Sequence, residues 1–531
     1  MIGNRLTLIL LSASVLFSEA GFSQTRATPD SPSDSQFRNI HVDATKVRGT
    51  VRSFQGVNGV PTPIMEGLPS LVRQYKELRI DVVRTHDTMG PTDISARFSP
   101  DNPLLTWLVP NSAQRVKLVE RGNEAAIFPD WSADPERPES YNFGPSDEVI
   151  QGIRDTGAQV FYRIGRSWGA DYTPLPDLDK FATVVKHVAM HYNQGWAKGF
   201  HDAVHYWEFW NEEDIPYFWT ETPETFYKLY EKTAKALKSV DSTMKVGADA
   251  KAFAYGSGPY REDLLQYCVE HNVPLDFYSW HHYTMSSADP YDFTRIGAEI
   301  RKILNDNGFA KAESILSEWN LTPDFTDPEK PRLQGMENAA FIGDVLIYLQ
   351  DSSVDMAQFY RADAAWMGLF DLHGDYFKTA YAFLAGGKML STPQRLELRG
   401  SDTIGLAALA GRSSDGDIVQ ILISNYEIPA YHPRDMHPPK GALPKNTAVT
   451  DFPKVKSLPP RTDIRVKNNR GFHLTVEGLP WGKAAAFTVQ RYRLTPQEAF
   501  AMQESKGSGA KFDFTDALPP PGLELIVLKR D

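Results

Sequence analysis

Between residues 51 and 390 the sequence alternates short apolar runs with amphipathic stretches, and this alternation limits the fold more than any other feature. Eight runs have the length and composition of buried strands: SFQGVNG, RIDVVRTH, AQVFYRIG, HYWEFWN, MKVGADA, LDFYSWHHY, SILSEWN and VDMAQFYRA. Eight strands that alternate with helices predict an α/β fold, a (β/α)8 TIM barrel. An open doubly wound sheet is the alternative, but its first strand should be followed by a glycine-rich phosphate turn. GVNGV matches G-x-G-x-x-G poorly.

The stretch after the fourth run shows why the intervening segments are predicted as helices. Thr222 suits the N-cap position, and Pro223 suits the first helical position. Apolar residues then recur on one helical face, at Phe226, Tyr230, Ala234 and Leu237.

Beyond residue 390 the helical spacing stops. The runs DIVQILISNYE, FHLTVEG, AAFTVQRYRLT and LELIVLKR follow one another as strands. They predict a C-terminal antiparallel β-sandwich domain over residues 391–531, completed by a strand at 37–50. A Pro-rich segment at roughly 428–466 is too long for a hairpin turn and is predicted as a loop.

The amino terminus has the pattern of an export signal. Arg5 precedes the apolar run LTLILLSASVLF, and the small residues Ser18 and Ala20 stand before Gly21. Residues 1–20 are therefore predicted to be a signal peptide, which implies a secreted or periplasmic protein with no membrane association after cleavage. A membrane anchor is the alternative, but the run is short for a bilayer. Residues 21–36 are rich in Ser, Thr and Pro and are predicted to be a flexible linker.

Charge and cysteine content exclude some partners and chemistries. The formal net charge is −11, so nucleic acid and anionic lipid would be repelled, and no nucleic-acid partner is expected. Cys268 is the single cysteine, which excludes an intramolecular disulfide, and its apolar context favours a packed side chain over a nucleophile. The sequence does not define an oligomeric state.

Two carboxylates stand at strand ends. Glu212 follows the fourth predicted strand and Glu318 closes the seventh. In a (β/α)8 barrel the carboxyl ends of the strands carry the chemistry, so these groups would face each other across the barrel mouth. Paired carboxylates there suit glycoside hydrolysis, in which one donates a proton and the other stays ionised. Asn211 would reach a sugar hydroxyl. The alternative for each Glu is a solvated loop carboxylate or an ion pair.

The motifs around these residues carry a family resemblance. WEFWNE and SEWN resemble the signatures of clan GH-A glycoside hydrolases. Together with RTH, SYNFGPSD, VGADA and DFYSWHHY, they make residues 45–390 similar to glycoside hydrolase family 39, which includes β-xylosidases and α-L-iduronidases. The predicted C-terminal sandwich fits the accessory domain of that family.

The resemblance implies catalytic roles for both carboxylates. Glu212 would be the general acid/base and Glu318 the nucleophile of a retaining double displacement. Asn211 would contact the sugar beside the reacting centre.

The resemblance also implies binding residues on other strands. His281 and Tyr283 match a His-x-Tyr motif, in which Tyr283 would hydrogen-bond the nucleophile. Arg84 and His86 match an Arg-x-His motif, in which His86 would face the sugar.

The sequence departs from the family pattern at three places. Glu213 stands where the family usually has Pro; it would raise the pKa of Glu212 or point into solvent. GADA replaces Gly-Gly-Pro at the fifth strand, and the eighth lacks the acidic pair that helps to bind xylose. Xylosidase activity is therefore less strongly implied than glycosidase activity.

Tryptophans near strand ends are candidate platforms for a sugar ring, with core packing as the alternative. The candidates for the pocket are Trp168, Trp319 and Trp366. No metal or cofactor is expected, because the adjacent His281 and His282 would point to opposite faces of their strand and could not easily share one ion.

These observations predict an exported retaining glycoside hydrolase that releases a terminal pentose or related sugar from oligosaccharides, as a β-xylosidase does. The alternatives are an endo-acting exopolysaccharide hydrolase and a catalytically silent carbohydrate-binding barrel. The Pro-rich segment 87–138, predicted as a long loop, would wall the substrate subsites.

Overall fold

The computed structural model describes residues 36–531 apart from thirteen internal gaps. These gaps cover 64–66, 96, 103–104, 107–110, 168–176, 216–217, 257, 285–287, 322–330, 364–366, 430–457, 463 and 465–468. The predicted signal peptide, nearly all of the predicted linker and most of the Pro-rich loop at 428–466 lie outside the described residues. None of the described helices has the length and apolar character needed to cross a bilayer.

The first strand, β1 (Phe37–Thr50), lies outside the barrel. The next eight strands pair in parallel and close into a ring in chain order. They are β2 (Gly56–Asn58), β3 (Val82–Arg84), β4 (Gln159–Ile164), β5 (Val204–Phe209), β6 (Lys245–Lys251), β7 (Phe277–Tyr283), β8 (Glu313–Asn320) and β9 (Met356–Phe359). Each strand falls on one of the eight predicted runs, and the closed ring confirms the (β/α)8 barrel.

The helices between and after these strands form the outer layer. Those described are α1 (Val72–Leu78), α2 (Ser112–Ala125), α3 (Gly144–Thr156), α4 (Leu178–Gln194), α5 (Pro223–Val240), α6 (Leu264–Glu270), α7 (Asp292–Asp306), α8 (Met336–Tyr348) and α9 (Lys378–Met389). In α5, Thr222 caps the helix by accepting from the amide of Thr225, and the predicted apolar face is buried. The helical interpretation of this stretch is confirmed.

One expectation about the barrel was wrong. The segment 87–138 was predicted as a loop, but it contains the helix α2. The Asn111 side chain caps this helix by accepting from the Gln114 amide, and its narrow apolar face is buried through Val119 and Ala125. The Pro residues that flank this helix favoured the prediction of a loop. Within the segment, however, an N-cap residue is followed by a run of good helix formers.

The amino ends of the strands are closed by apolar side chains. Phe161, Tyr206 and Phe277 pack together there with Val82 and Ile315. The rings of Phe161 and Tyr206 stack with centroids 5.5 Å apart. Since this end is filled, polar groups inside the barrel gather at the carboxyl ends of the strands.

The C-terminal strands form one nine-stranded sheet with β1. They are β10 (Gln394–Arg399), β11 (Leu406–Arg412), β12 (Ile418–Asn425), β13 (Gly471–Glu477), β14 (Ala486–Leu494), β15 (Ala499–Ser508), β16 (Lys511–Ala517) and β17 (Gly522–Arg530). The order is β15-β14-β17-β12-β11-β10-β1-β13-β16, and every pairing is antiparallel except that of β1 with β13.

This sheet folds back on itself, so that its two ends meet. The rings of Phe487 on β14 and Phe512 on β16 have centroids 6.2 Å apart, and Arg491 on β14 forms an ion pair with Asp516 on β16. One apolar cluster joins side chains from both halves of the sheet. The arrangement confirms a sandwich domain, with the single parallel pairing as a detail that the sequence pattern did not predict.

The other face of the sheet packs on the barrel through α8 and α9. Leu409 and Leu422 belong to the same apolar core as the barrel helices. The Ser424 hydroxyl donates to the Ala340 carbonyl across the interface at 2.8 Å. This contact buries Asp344 of α8 completely, next to Ser424.

Candidate active site

The structure brings the two predicted catalytic carboxylates together at the barrel mouth. Glu212 follows the end of β5, the fourth barrel strand, by three residues, and Glu318 lies near the end of β8, the seventh. One carboxylate oxygen of each lies within 4.8 Å of the other. Their proximity follows from the barrel, because opposite strands deliver their carboxyl ends to one shared opening.

Two hydrogen bonds to Glu318 favour its ionised form. The Tyr283 hydroxyl donates to Oε1 at 2.5 Å, and Arg84 Nη1 donates to Oε2 at 3.2 Å. Burial raises the pKa of Glu318 to about 7, against the opposing effects of the Arg84 charge and the Tyr283 hydrogen bond. Glu318 is therefore about half ionised at pH 7 and becomes an anion as the pH rises further, which is the form that a nucleophile needs.

The surroundings of Glu212 favour its protonated form. Its Oε1 lies 2.9 Å from His281 Nδ1. Burial, followed by the negative charges of Glu318 and Asp214, raises the pKa of Glu212 well above its ordinary value. Burial and the nearby Arg84 charge lower the pKa of His281 well below its ordinary value, so the imidazole is neutral and brings no positive charge to Glu212. Two carboxyl groups whose pKa values are set by different surroundings can take different acid/base roles.

Arg84 lies beneath the carboxylates and joins four side chains. Its Nε donates to Glu208 at 2.5 Å and its Nη2 to Asn211 Oδ1 at 2.8 Å. Its Nη1 donates to Asn58 at 3.0 Å as well as to Glu318. Because the Asn211 oxygen faces Arg84, the Asn211 amide NH2 is left to donate elsewhere. Arg84, predicted as a binding residue, is thus a fully buried support for the site.

His86 forms one wall of the site together with groups from β9. Its Nε2 lies 3.9 Å from Glu318 Oε2 and 3.4 Å from Asp87 Oδ2. Asp87 accepts from the Tyr360 hydroxyl at 2.8 Å. Burial, with the nearby Arg84 charge, lowers the pKa of His86 well below its ordinary value, so this residue meets a ligand as a neutral imidazole.

Trp319 was predicted to contact the substrate, and this prediction was wrong. Its ring is fully buried and meets Phe293 and Phe359 edge-on, with centroids 5.5 and 5.1 Å apart. Successive strand residues point to opposite faces, so Glu318 faces the barrel mouth and Trp319 faces the helices. Trp168 and Trp366 lie outside the described residues. Their predicted contacts with a sugar stay predictions.

The structure excludes one of the two behaviours expected of Glu213 from the sequence. Glu213 is 2% exposed, so it does not point into solvent. The charges that raise the pKa of Glu212 come chiefly from Glu318, Asp214 and Asp87. Glu213 instead lies against Asp249, at the end of β6.

Sequence reasoning did not single out several residues that build this site. They are Asn58, Asp87, Glu208, Asp249 and Tyr360. Glu208 had a visible signal, because it is the one acidic residue inside the apolar run HYWEFWN. A charge at the centre of a buried strand requires a partner, and Arg84 is that partner.

The same site contains the one set of potential metal ligands found among the described residues. Glu212, His281 and Glu318 each present one ligand atom, and these atoms lie within 4.8 Å of one another. His282, the neighbour of His281, faces away and packs its ring against Phe293 at 5.1 Å. The pair of adjacent histidines therefore does not converge on one point.

Comparisons with known proteins agree with this geometry. The profile described as "Glycosyl hydrolases family 39" matches residues 138–362. The structure resembles that of a glucosidase from Croceicoccus marinus, with a TM-score of 0.79 and 33% sequence identity. The match covers 93% of this chain and 99% of the other.

Two curated β-xylosidases are also similar over part of the chain. The Geobacillus stearothermophilus protein is 26% identical over 255 residues, and the Caldicellulosiruptor saccharolyticus protein is 23% identical over 328 residues. These matches span 42% and 55% of this chain, but only 49% and 64% of the two relatives. The chain thus covers less than two thirds of either relative.

A closed (β/α)8 barrel with facing carboxylates at the ends of its fourth and seventh strands, joined to a sandwich domain, is the architecture of clan GH-A glycoside hydrolases. Within that class, the chain belongs to glycoside hydrolase family 39.

Proposed function

We propose that this protein is an exported glycosidase that removes a terminal sugar from oligosaccharides with retention of anomeric configuration. The observation that carries the proposal is the distance of at most 4.8 Å between carboxylate oxygens of Glu212 and Glu318. Retaining enzymes hold their carboxyl groups about 5–5.5 Å apart, whereas inverting enzymes need roughly 6.5–9.5 Å to admit a water molecule. The spacing in this barrel supports direct attack by a carboxylate.

In the first step, Glu212 protonates the glycosidic oxygen while Glu318 attacks the anomeric carbon. The bond to the leaving group breaks and a covalent glycosyl-enzyme forms. In the second step, Glu212 takes a proton from water, the water oxygen attacks the same carbon, and Glu318 leaves as a carboxylate. The raised pKa of Glu212 supports the first role, and the Tyr283 and Arg84 contacts support departure of Glu318 as an anion.

The first sugars to test are β-D-xylose and β-D-glucose. The two curated relatives are described as β-xylosidases, and their similarity to this chain, although it covers only part of their length, supports a terminal pentose. The relative matched over nearly its whole length is described as a glucosidase, which makes a hexose a second candidate for the same site. Export rests on the signal-like residues 1–20.

Hydrolysis of aryl glycosides tests the proposal directly. Wild type and Glu318→Gln are compared on β-xyloside, β-glucoside, β-galactoside, α-L-arabinoside and α-L-iduronide substrates. Glu313→Gln is the matched control, because Glu313 lies on the same strand at the closed end of the barrel and pairs with Lys245. We expect one sugar to be released by wild type and the control, with a loss of at least about 10⁴-fold in Glu318→Gln.

The stereochemistry of the product decides the mechanism. Proton NMR during turnover should show the anomer of the substrate first, with the other anomer appearing only by mutarotation. First appearance of the opposite anomer would contradict retention. No release from any aryl glycoside, combined with shortening of a polysaccharide, would replace terminal cleavage by endo action.

A further inference from the structure

The turn that carries Glu212 is attached to the end of strand β6 by three consecutive residues. The Glu212 amide donates to the Ala250 carbonyl at 3.0 Å. The Asp214 carboxylate accepts from the amides of Ala252 and Phe253 at 2.9 and 3.1 Å. Between these two contacts, the Glu213 carboxyl lies against that of Asp249.

The Glu213 and Asp249 carboxyl groups form a buried pair, and among the described residues no cation forms an ion pair with either of them. Glu213 is 2% exposed and Asp249 is 0% exposed. Neither oxygen of Glu213, nor Oδ1 of Asp249, accepts a hydrogen bond from another group among the described residues. The Tyr278 hydroxyl lies 3.1 Å from the remaining oxygen, Asp249 Oδ2. The nearby Lys251 ammonium pairs with Asp214 instead, at 3.5 Å.

Two buried carboxylates cannot both be ionised at contact distance without a large electrostatic cost. One proton held between them turns the repulsion into a hydrogen bond. Burial raises the pKa of both groups, that of Asp249 to about 7, so the pair retains a proton at neutral pH. The charged and titratable groups of the described residues that face the pair are Asp214, Lys251, Tyr227, Tyr230, Tyr260, Cys268 and Tyr278.

The backbone around the pair needs such a constraint. Trp210, Glu212 and Ala250 all have left-handed backbone conformations, with φ of 68°, 48° and 54°. Side chains disfavour this conformation, which persists where surrounding contacts hold it in place. The contact between Glu213 and Asp249 joins the segment that contains Trp210 and Glu212 to the segment that contains Ala250.

We propose that Glu213 and Asp249 share a proton and act as positioning residues that hold the Glu212 carboxyl in line with the leaving-group oxygen. This inference rests on the proposed function. If the pair lost its hydrogen bond, the turn could relax, Glu212 would move from the glycosidic oxygen, and protonation of the leaving group would suffer. Attack by Glu318, which lies on another strand, would be less affected.

The test compares a good leaving group with a poor one. The substrates are the 2,4-dinitrophenyl and phenyl glycosides of whichever sugar, xylose or glucose, the wild type hydrolyses. Dinitrophenolate departs with little help from an acid, whereas phenolate needs more. For Glu213→Ala we expect kcat/KM to fall about 10- to 100-fold on the phenyl glycoside and much less on the dinitrophenyl glycoside.

Two further variants separate positioning from general damage. In Glu213→Gln the amide donates to the Asp249 carboxylate, so both substrates should be hydrolysed at close to wild-type rates. Asp344→Asn alters a buried carboxyl at the barrel–sandwich interface and should affect both substrates equally. The inference is overturned if Glu213→Ala loses activity equally on both substrates, or if Glu213→Gln is as impaired as Glu213→Ala.

Stability gives a readout that does not depend on activity. A proton bound by the folded pair and released on unfolding makes the wild type lose stability as pH rises from 5 to 7. In Glu213→Gln the folded and unfolded states should differ by about one bound proton less than in the wild type, so its stability should depend less on pH. Melting temperatures across that range measure this difference. Parallel curves would exclude the shared proton. If wild type hydrolysed no glycoside at all, the proposed function would fail, while these curves would still decide whether the proton is shared.

Discussion

A carboxylate oxygen of Glu212 lies within 4.8 Å of one of Glu318, yet the two groups differ in what they contact. Glu318 accepts hydrogen bonds from the Tyr283 hydroxyl and the Arg84 guanidinium. Glu212 meets the neutral ring of His281. The same barrel mouth therefore stabilises an anion on one side and a protonated acid on the other, and each contact that produces the difference can be removed singly.

Replacing Tyr283 by Phe removes the hydroxyl that stabilises ionised Glu318. The pKa of Glu318, about 7 in the wild type, should rise, so the acidic limb of kcat/KM should move to higher pH. Loss of one hydrogen bond to a charged group costs about 1.5–3 kcal/mol, which corresponds to roughly 10- to 100-fold in kcat/KM. Tyr206→Phe, at the closed end of the barrel, is the control. An unchanged acidic limb in Tyr283→Phe would contradict the assignment.

Replacing Glu208 by Gln should move the same limb in the opposite direction. Glu208 competes with Glu318 for the charge of Arg84, and its own charge raises the pKa of Glu318. Glutamine keeps an acceptor for Arg84 Nε but removes the charge, so Glu318 should ionise at lower pH. The pH dependence of kcat/KM in Glu208→Gln and Tyr283→Phe, measured side by side, should bracket the wild type. Shifts of equal sign would contradict at least one of the two assignments.

Replacing Glu212 by Ala removes the acid/base group but leaves the nucleophile. Hydrolysis of a phenyl glycoside should fall about 10²- to 10⁴-fold, while formation of the glycosyl-enzyme from a dinitrophenyl glycoside should change far less. Azide, which needs no general base, should restore turnover of the dinitrophenyl glycoside and give a glycosyl azide of retained configuration. An inverted azide product, or no rescue, would contradict the roles proposed for Glu212 and Glu318.

The barrel and the position of its two carboxylates could be predicted because both depend on local pattern. Strand period and strand ends are visible along the chain, and the closed barrel then places Glu212 and Glu318 together without further information. The prediction for Trp319 was wrong because closeness in sequence to Glu318 does not imply closeness to the pocket. Strand alternation sends neighbouring side chains to opposite faces, and that rule was sufficient to exclude it.

The supporting contacts could not be predicted, because they join residues far apart in the chain. Arg84 meets Glu208 across 124 positions, and the match to an Arg-x-His motif implied a binding role instead. The partner of Glu213 is Asp249 on the next barrel strand, and the motif VGADA gives no sign of this pairing. Such pairings depend on the register of neighbouring strands, which hydrophobic period alone does not determine.

Asp344 offers a test of how the barrel and the sandwich are held together. It is fully buried in α8 beside Tyr348 and Ser424, and burial raises its pKa well above the ordinary value. The folded state therefore keeps a proton that the unfolded chain releases above about pH 4. With more protons bound in the folded state, stability falls as pH rises, by about 1.4 kcal/mol per pH unit until the folded group ionises.

Asp344→Asn should remove that dependence. Asparagine stays neutral in both states, so the melting temperature of the variant relative to wild type should increase steadily from pH 4 to pH 8. Asp417→Asn, at an exposed ion pair with Arg530, controls for the loss of one negative charge. Calorimetry of the three proteins from pH 4 to pH 8 measures these melting temperatures. A constant difference between Asp344→Asn and wild type would mean that Asp344 is ionised in the folded protein. The interface would then contain a buried carboxylate and not a protonated carboxyl group.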